Sequence, residues 1–259
     1  MEVDALQRFL VPGKAALVTG GGDGIGRATA LLLAAAGAAV GVLDKDGAKA
    51  SAVAAEIANG RGIAVPYAVD VTDELAVEQA MSDFAGVRGS LDILINNAGM
   101  AIRGAAATLS VEDWNRVIAV NLTGMFLCAR IAARHMKQFG RGGAIVNTAS
   151  IMGISGGLYP NVAYQTTKGG VVNMTRALAL EWVADGVRVN AVAPTYVNTP
   201  FIAGLISKPE VLAAIKAATP MGRLAEPDEI ASAILFLSSP AAGMITGSIL
   251  PVDGGFLAR

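Results

Sequence analysis

Residues 15–26 read Ala15-Ala16-Leu17-Val18-Thr19-Gly20-Gly21-Gly22-Asp23-Gly24-Ile25-Gly26. An apolar, β-prone run meets a cluster of glycines, and a helix-like segment opens at about Gly24. Gly20, Gly24 and Gly26 lack the Cβ that would block a tight turn, so amides at the helix N-terminus can approach a pyrophosphate. Strand, turn and helix in that order give the context that a dinucleotide loop requires. The spacing, three residues and then one, differs from the one-then-two spacing of the usual fingerprint. Taken alone, such a loop could also be a plain turn.

Asp44 supplies a second piece. It ends the next apolar run, 24 residues beyond Gly20. A carboxylate there can accept hydrogen bonds from adenine ribose hydroxyls and repels a 2′-phosphate. NAD is therefore expected over NADP, with Asp23 adding negative charge and Lys45 opposing it.

The rest of the chain continues this alternation without a linker or low-complexity stretch. Strands are expected near 14–19, 38–43, 63–69, 91–96, 143–148, 187–193 and 248–252. Helical patterns fall near 24–36, 46–58, 73–86, 110–138, 164–185 and 227–238. The strands are continuous apolar runs, such as Leu91-Asp92-Ile93-Leu94-Ile95, as befits a parallel sheet covered on both faces. The reading is a single α/β domain over 1–259, Rossmann-type, with a doubly wound parallel sheet of seven strands and ligand at their carboxyl ends. Residues 1–13 form an N-terminal arm. Thr72 and Ser110 are expected N-caps, with Asp113 completing an approximate capping box. Residues 195–223 break the alternation, with Thr199-Pro200 and short helices near 200–206 and 209–217. An insertion of that length at a strand's carboxyl end is a natural substrate lid.

Composition bounds the rest. Apolar residues make up 53% of the 259 and charged ones 16%, which favours a large buried core. Net charge is −1 with no run of Lys or Arg, so no nucleic-acid partner is expected. Cys128, the only cysteine, precludes an intramolecular disulfide and fits a reducing compartment. With His135 the only histidine, no metal site is expected. Residues 1–10 lack the order of a signal peptide, and the longest uncharged stretch, 28–43, is shorter than the ~20 residues that span a bilayer. A cytoplasmic protein without a membrane partner is expected.

Tyr164 and Lys168 stand four apart, and Tyr164 follows Ser150 by fourteen residues. On a helix, positions i and i+4 share a face, so phenol and ammonium can converge. A phenol with a pKa of about 10 becomes a useful base when a cation favours its anion. That suits removing a proton from an alcohol or returning one to a ketone. Tyr159 is the competing phenol, but its i+4 position is Ala163.

With these motifs the chain resembles a classical short-chain dehydrogenase/reductase from about Lys14 to Phe256. The glycine loop at 19–26 is joined by Asp70-Val71, Asn96-Asn97-Ala98-Gly99, and Asn121 within Val120-Asn121-Leu122-Thr123-Gly124. Ser150, Tyr164 with Lys168, and Val252-Asp253-Gly254-Gly255 complete the series. The resemblance implies the strand order 3-2-1-4-5-6-7. It implies Tyr164 as general acid/base, Ser150 holding the substrate oxygen, and Lys168 binding the nicotinamide ribose and lowering the tyrosine pKa. Asn121 would hold a water linking Lys168 to solvent. Gly20, Asp23, Gly24, Ile25, Gly26 and Asp44 would bind the cofactor, with Asp70 and Val71 facing the adenine. Asn97, Ala98 and Gly99 would line the ribose side, and Pro194, Val197 and Thr199 the carboxamide side. The family also implies a homotetramer, with the long helix and its 164–185 partner buried between subunits.

The chain departs from the family in places. Thr195 follows Pro194 where glycine is usual, and would be strained if positive φ were needed. Gln165-Thr166-Thr167 replaces small residues, and Ala149 a frequent serine. Met152, Ile154, Leu158 and Tyr159 from one segment, and Tyr196, Phe201, Ile202 and Leu205 from another, would flank the substrate. A mainly apolar pocket with a few hydroxyls suits a cyclic or medium-sized ketone or a polyol. The alternatives are a 3-oxoacyl-carrier-protein reductase, which Asp44 opposes, and a nucleotide-sensing scaffold without catalysis.

Overall fold

Seven strands form one parallel sheet: β1 (Ala15–Thr19), β2 (Ala39–Asp44), β3 (Ile63–Ala68), β4 (Ile93–Asn96), β5 (Gly143–Thr148), β6 (Val187–Pro194) and β7 (Ile249–Val252). Their order is β3-β2-β1-β4-β5-β6-β7, as the family resemblance implied. The computed structural model describes residues 5–258, so Met1 to Asp4 of the expected arm lie outside the described residues. Nine α-helices are described: α1 (Gly24–Ala35), α2 (Gly47–Asn59), α3 (Glu74–Arg88), α4 (Val111–Ile118), α5 (Met125–Phe139), α6 (Val162–Trp182), α7 (Pro200–Ile206), α8 (Pro209–Ala218) and α9 (Pro227–Ser238).

Alternate strand residues serve two cores. Leu17, Leu94, Ile145 and Val189 pack with Phe84 of α3, Ile131 and Met136 of α5 and Leu178 of α6. Ala16, Val18, Val42, Ile95 and Val146 pack with Leu33 of α1, Ile57 of α2 and Ile234 of α9. Each large side chain fully buried in this way contributes about 1.5–3 kcal/mol. Strand order reverses between β1 and β4, which opens a crevice at their carboxyl ends.

Some local expectations need correction. The N-cap of α3 is Asp73, whose carboxylate accepts from Ala76 N, while Thr72 donates to Asp70 Oδ1 at 2.7 Å. Both residue types cap well, and the register of the turn chose between them. Ser110 does cap α4, accepting from Asp113 N at 3.0 Å, but the Asp113 carboxylate pairs with Arg116. The helix expected across 110–138 is interrupted by a π-turn at Ala119–Gly124. By length and composition Val111–Phe139 could cross a membrane, yet Cys128, Ile131, Ala132 and Met136 are fully buried in the core. It is packed as a core helix.

The 195–223 segment carries α7 and α8 and has its own small core, built from Ile151, Tyr196, Ile202, Ile215, Ala218 and Phe256. Thr195 is not strained: Arg61 is the only non-glycine with positive φ among the described residues. The Thr195 amide donates to Val252 O at 3.2 Å, joining β6 to β7.

Candidate active site

The carboxyl ends of the central strands open on a cavity of about 440 Å³. One end is built from the loop between β1 and α1. Gly20 has φ +60, and a Cβ there would lie 2.9 Å from Ala98 Cα. A Cβ on Gly26 would strike the carbonyl oxygen of Gly20. Backbone therefore approaches backbone closely here, leaving the N-terminus of α1 open to an anion, as a dinucleotide cradle requires.

Carboxylates hold this loop in shape. Asp23 Oδ1 accepts from Gly24 N at 2.7 Å, capping α1, and Oδ2 pairs with Lys49 at 2.8 Å. The Lys49 hydrogen bond is the main reason that the Asp23 carboxyl sits below its usual range. Asp44 Oδ2 accepts from Gly22 N at 3.0 Å and Oδ1 from Asp46 N at 2.9 Å. Asp44 thus fixes the glycine loop and keeps further lone pairs for hydroxyl donors. Asp70 also sits low, chiefly through the Thr72 amide. Asn97 clamps the other side: its Nδ2 donates to Thr19 O at 3.2 Å and Gly20 O at 3.1 Å. Thr19 Oγ1 in turn accepts from the amides of Asn97 and Ala98.

The middle of the cavity holds the expected chemistry. Tyr164 stands in the first turn of α6, and its hydroxyl faces the Ser150 side chain, two residues beyond β5. Lys168, one turn on, is 2% exposed and donates to Thr148 O at 2.6 Å. Its ammonium lies 5.4 Å from the Tyr164 ring centroid. Burial pushes the Tyr164 phenol above its usual range. The Ser150 hydroxyl and the charge of Arg103 oppose that shift. Lys168 itself is driven down to about 8 by burial.

Asn121 is fully buried in the π-turn. Its Oδ1 accepts from Met100 N at 2.8 Å and its Nδ2 donates to Met100 O at 2.9 Å, with Thr167 Oγ1 at 3.2 Å. A Cβ on Gly99 would lie 3.5 Å from Asn121 Oδ1 and 3.9 Å from Lys168 Nζ, so the Gly99 backbone sits beside both. The π-turn turns Asn121 onto the 99–100 segment, a common use of such turns near functional sites.

Most of the residues singled out in the sequence line this one cavity, including Ile25, Val71, Pro194, Val197 and Thr199. Gly26 and Asn121 lie behind its wall. Met152, Tyr159, Tyr196, Phe201, Ile202 and Leu205 surround its far end. Leu158 and Ile154 do not line it: they are 40% and 48% exposed on the loop between β5 and α6. That loop turns at Gly157, carrying both side chains away. Arg103, Asn161, Thr195, Met100 and Lys49 line the cavity without having been singled out for it. An isolated bridge between Gly104 and Asn161 brings the Arg103 segment to the start of α6, a long-range pairing with no local signal. His135 is remote, beside Glu78, and burial raises the Cys128 thiol to about 12.

The family model described as Enoyl-(Acyl carrier protein) reductase matches residues 20–257. The chain is a classical short-chain dehydrogenase/reductase. Cis-4-hydroxycyclohexanecarboxylate dehydrogenase of Sinomonas cyclohexanicum is 47% identical to it over 95% of this chain and 97% of that protein. Galactitol 2-dehydrogenase of Rhizobium johnstonii is 43% identical over 96% and 97% of the two chains. A crystal structure of a putative NAD(P)-dependent gluconate 5-dehydrogenase from Beutenbergia cavernae, with bound NADP at low occupancy, superposes with a TM-score of 0.92. Identity is 40%, covering 97% of this chain and 100% of that one. This dehydrogenase is accordingly an oxidoreductase of CH–OH groups that uses a nicotinamide dinucleotide.

Proposed function

We propose that the protein oxidises a secondary alcohol, or reduces the matching ketone, with Tyr164 as the general acid/base. The observation that carries this reading is the convergence of Ser150, Tyr164 and buried Lys168, the last two on one helix face, inside a cavity that ends at the glycine loop. Gly20, Gly24 and Gly26 would hold the pyrophosphate, Asp44 the adenine ribose, and Asp70 with Val71 the adenine. Asn97, Ala98, Gly99 and Lys168 would line the nicotinamide ribose, with Pro194, Val197 and Thr199 beside the carboxamide. When bound, the nicotinamide ring accepts or supplies the hydride. Tyr164, as phenolate, takes the hydroxyl proton during oxidation and returns it during reduction, while Ser150 hydrogen-bonds the substrate oxygen. Because burial holds the phenol high, oxidation should quicken as pH rises, whereas reduction uses the protonated form present at neutral pH.

Two free lone-pair directions on Asp44, and its negative charge, favour NAD. Lys45 and Lys49 at the same end moderate that preference. The substrate end combines Met152, Ile202 and Leu205 with the hydroxyls of Tyr159, Tyr196 and Thr195. Alicyclic alcohols and polyols suit this lining, in keeping with the activities named for its relatives. The 195–223 segment would act as a lid, since Tyr159 Oη reaches Val211 O of α8 at 3.5 Å. The protein would work as a cytoplasmic homotetramer.

A 3-oxoacyl thioester reductase is the second reading, favoured by the two lysines that could receive a 2′-phosphate. The test is purified protein with NAD or NADP and a panel of cyclic alcohols, polyols and 3-oxoacyl thioesters, followed at the nicotinamide absorbance. NAD-linked turnover of secondary alcohols is expected. Turnover confined to NADPH and thioesters selects the second reading, and tight nucleotide binding without turnover indicates a sensing scaffold.

A further inference from the structure

At the far end of the cavity an exposed arginine contributes a positive charge at the rim. The acidic residues that line the cavity, Asp23, Asp44 and Asp70, all stand at the glycine-loop end. Arg103 lines the opposite end and, among the described residues, makes no ion pair. Its guanidinium lies 5.7 Å from the centroid of the Phe201 ring, and that ring is 6.1 Å from the ring of Tyr164. The guanidinium charge reaches both Tyr164 and Tyr196.

Two buried side chains beside it lack partners. Asn161 is 8% exposed and Tyr196 7%. Asn161 occupies the N-cap of α6, where an asparagine ordinarily turns its side-chain oxygen onto the first amides of the helix. It makes no such bond here, and its Oδ1 has no partner. The bridge between Gly104 and Asn161 holds this amide beside the Arg103 segment. The Leu158 amide faces Tyr196 Oη, but the hydroxyl proton has no acceptor. Burial pushes that phenol up to about 12, so it remains a donor. Unsatisfied polar groups at this depth are uncommon and call for a ligand atom.

We propose that Arg103 and Tyr196 form a carboxylate-binding subsite, and that the substrate is a secondary hydroxy acid, or its oxo acid, with the carboxylate remote from the carbinol. Arg103 supplies the charge and a two-pronged donor and Tyr196 a second donor, while Asn161 Oδ1, an acceptor, takes no part in holding the carboxylate. Phe201 supports the guanidinium and spaces it from Tyr164, so the carboxylate and the reacting carbon occupy opposite sides of that ring. This inference rests on the dehydrogenase reading for the chemistry but not for the binding.

The NAD-bound protein is titrated by calorimetry with cyclohexanecarboxylate and with the neutral cyclohexanecarboxamide. The carboxylate should bind at least about tenfold more tightly, in line with a charge-assisted hydrogen bond. Arg103→Gln should abolish that preference, Arg103→Lys should keep part of it, and Tyr196→Phe should lower it several-fold. The dissociation constant for NAD reports whether each variant is folded. Equal binding of the two probes, or a preference that survives Arg103→Gln, overturns the subsite. Turnover of cis-4-hydroxycyclohexanecarboxylate then tests the reading beneath it. A preference without turnover leaves the subsite standing and removes this alcohol as substrate, and turnover of neutral alcohols without any preference keeps the dehydrogenase and overturns the subsite.

Discussion

Lys168 shows most clearly what function demands of a single residue. A buried ammonium with no carboxylate partner is unfavourable for folding, and the hydrogen bond to Thr148 O at 2.6 Å offsets only part of this. Its pKa falls from the usual 10.5 to about 8, which corresponds to roughly 3 kcal/mol carried by the native state while the group is charged. The unfolded chain keeps this proton up to 10.5 and the native chain only up to about 8. From this group alone, stability rises with pH between those values and is lowest below them. Lys168→Met should therefore stabilise the protein by about 1–3 kcal/mol at pH 7 while removing turnover. A denaturant midpoint that stays put or falls, with kcat lost, would contradict this account of the residue. The Tyr164–Lys168 pair was legible because spacing on a helix is local. The role of Arg103 was not, since residues 99–104 have no periodic pattern and are placed by contacts with Asn121 and Asn161.

At the scale of elements, Asp92 ties the start of β1 to β4. Its carboxylate accepts from Ala15 N at 2.9 Å, Ser90 Oγ at 2.8 Å and Lys14 Nζ at 3.0 Å, at 4% exposure. Burial alone would raise its pKa, but these bonds outweigh burial and hold the carboxyl below 3.8. Its contribution is complete above that pH and is lost as pH falls through the lower folded value. Asp92→Ala should cost about 3 kcal/mol near neutrality, because a buried amide and hydroxyl lose their acceptor. The gap from wild type should narrow as pH falls below 3.8, and a gap independent of pH would show that the carboxylate charge is immaterial. Strands were legible to within about two residues because buried parallel strands read as unbroken apolar runs. The π-turn at Ala119–Gly124 left no trace, since one extra residue in a turn barely disturbs a helical pattern. The bend of the β5–α6 loop, which exposes Leu158 and Ile154, was equally hidden, because it depends on positive φ at Gly157.

For the whole molecule, the α5 and α6 side retains apolar surface. Phe126, Leu180 and Val183 are 38%, 79% and 52% exposed. Such exposed apolar side chains are available for burial between subunits, as the proposed tetramer requires. Light scattering should give about four times the 26.2 kDa chain mass, and Leu180→Asp should lower it. A monomer at micromolar concentration would refute the assembly without touching the chemistry. The central claim concerns the phenol of Tyr164, which faces Ser150. The most direct measurement is a single-turnover assay of hydride transfer with Tyr164→Phe, alongside NAD affinity for the same variant. The account predicts transfer slowed by a factor on the order of 10³ or more with NAD binding changed less than about threefold. Transfer at a rate near that of the unaltered protein would contradict it.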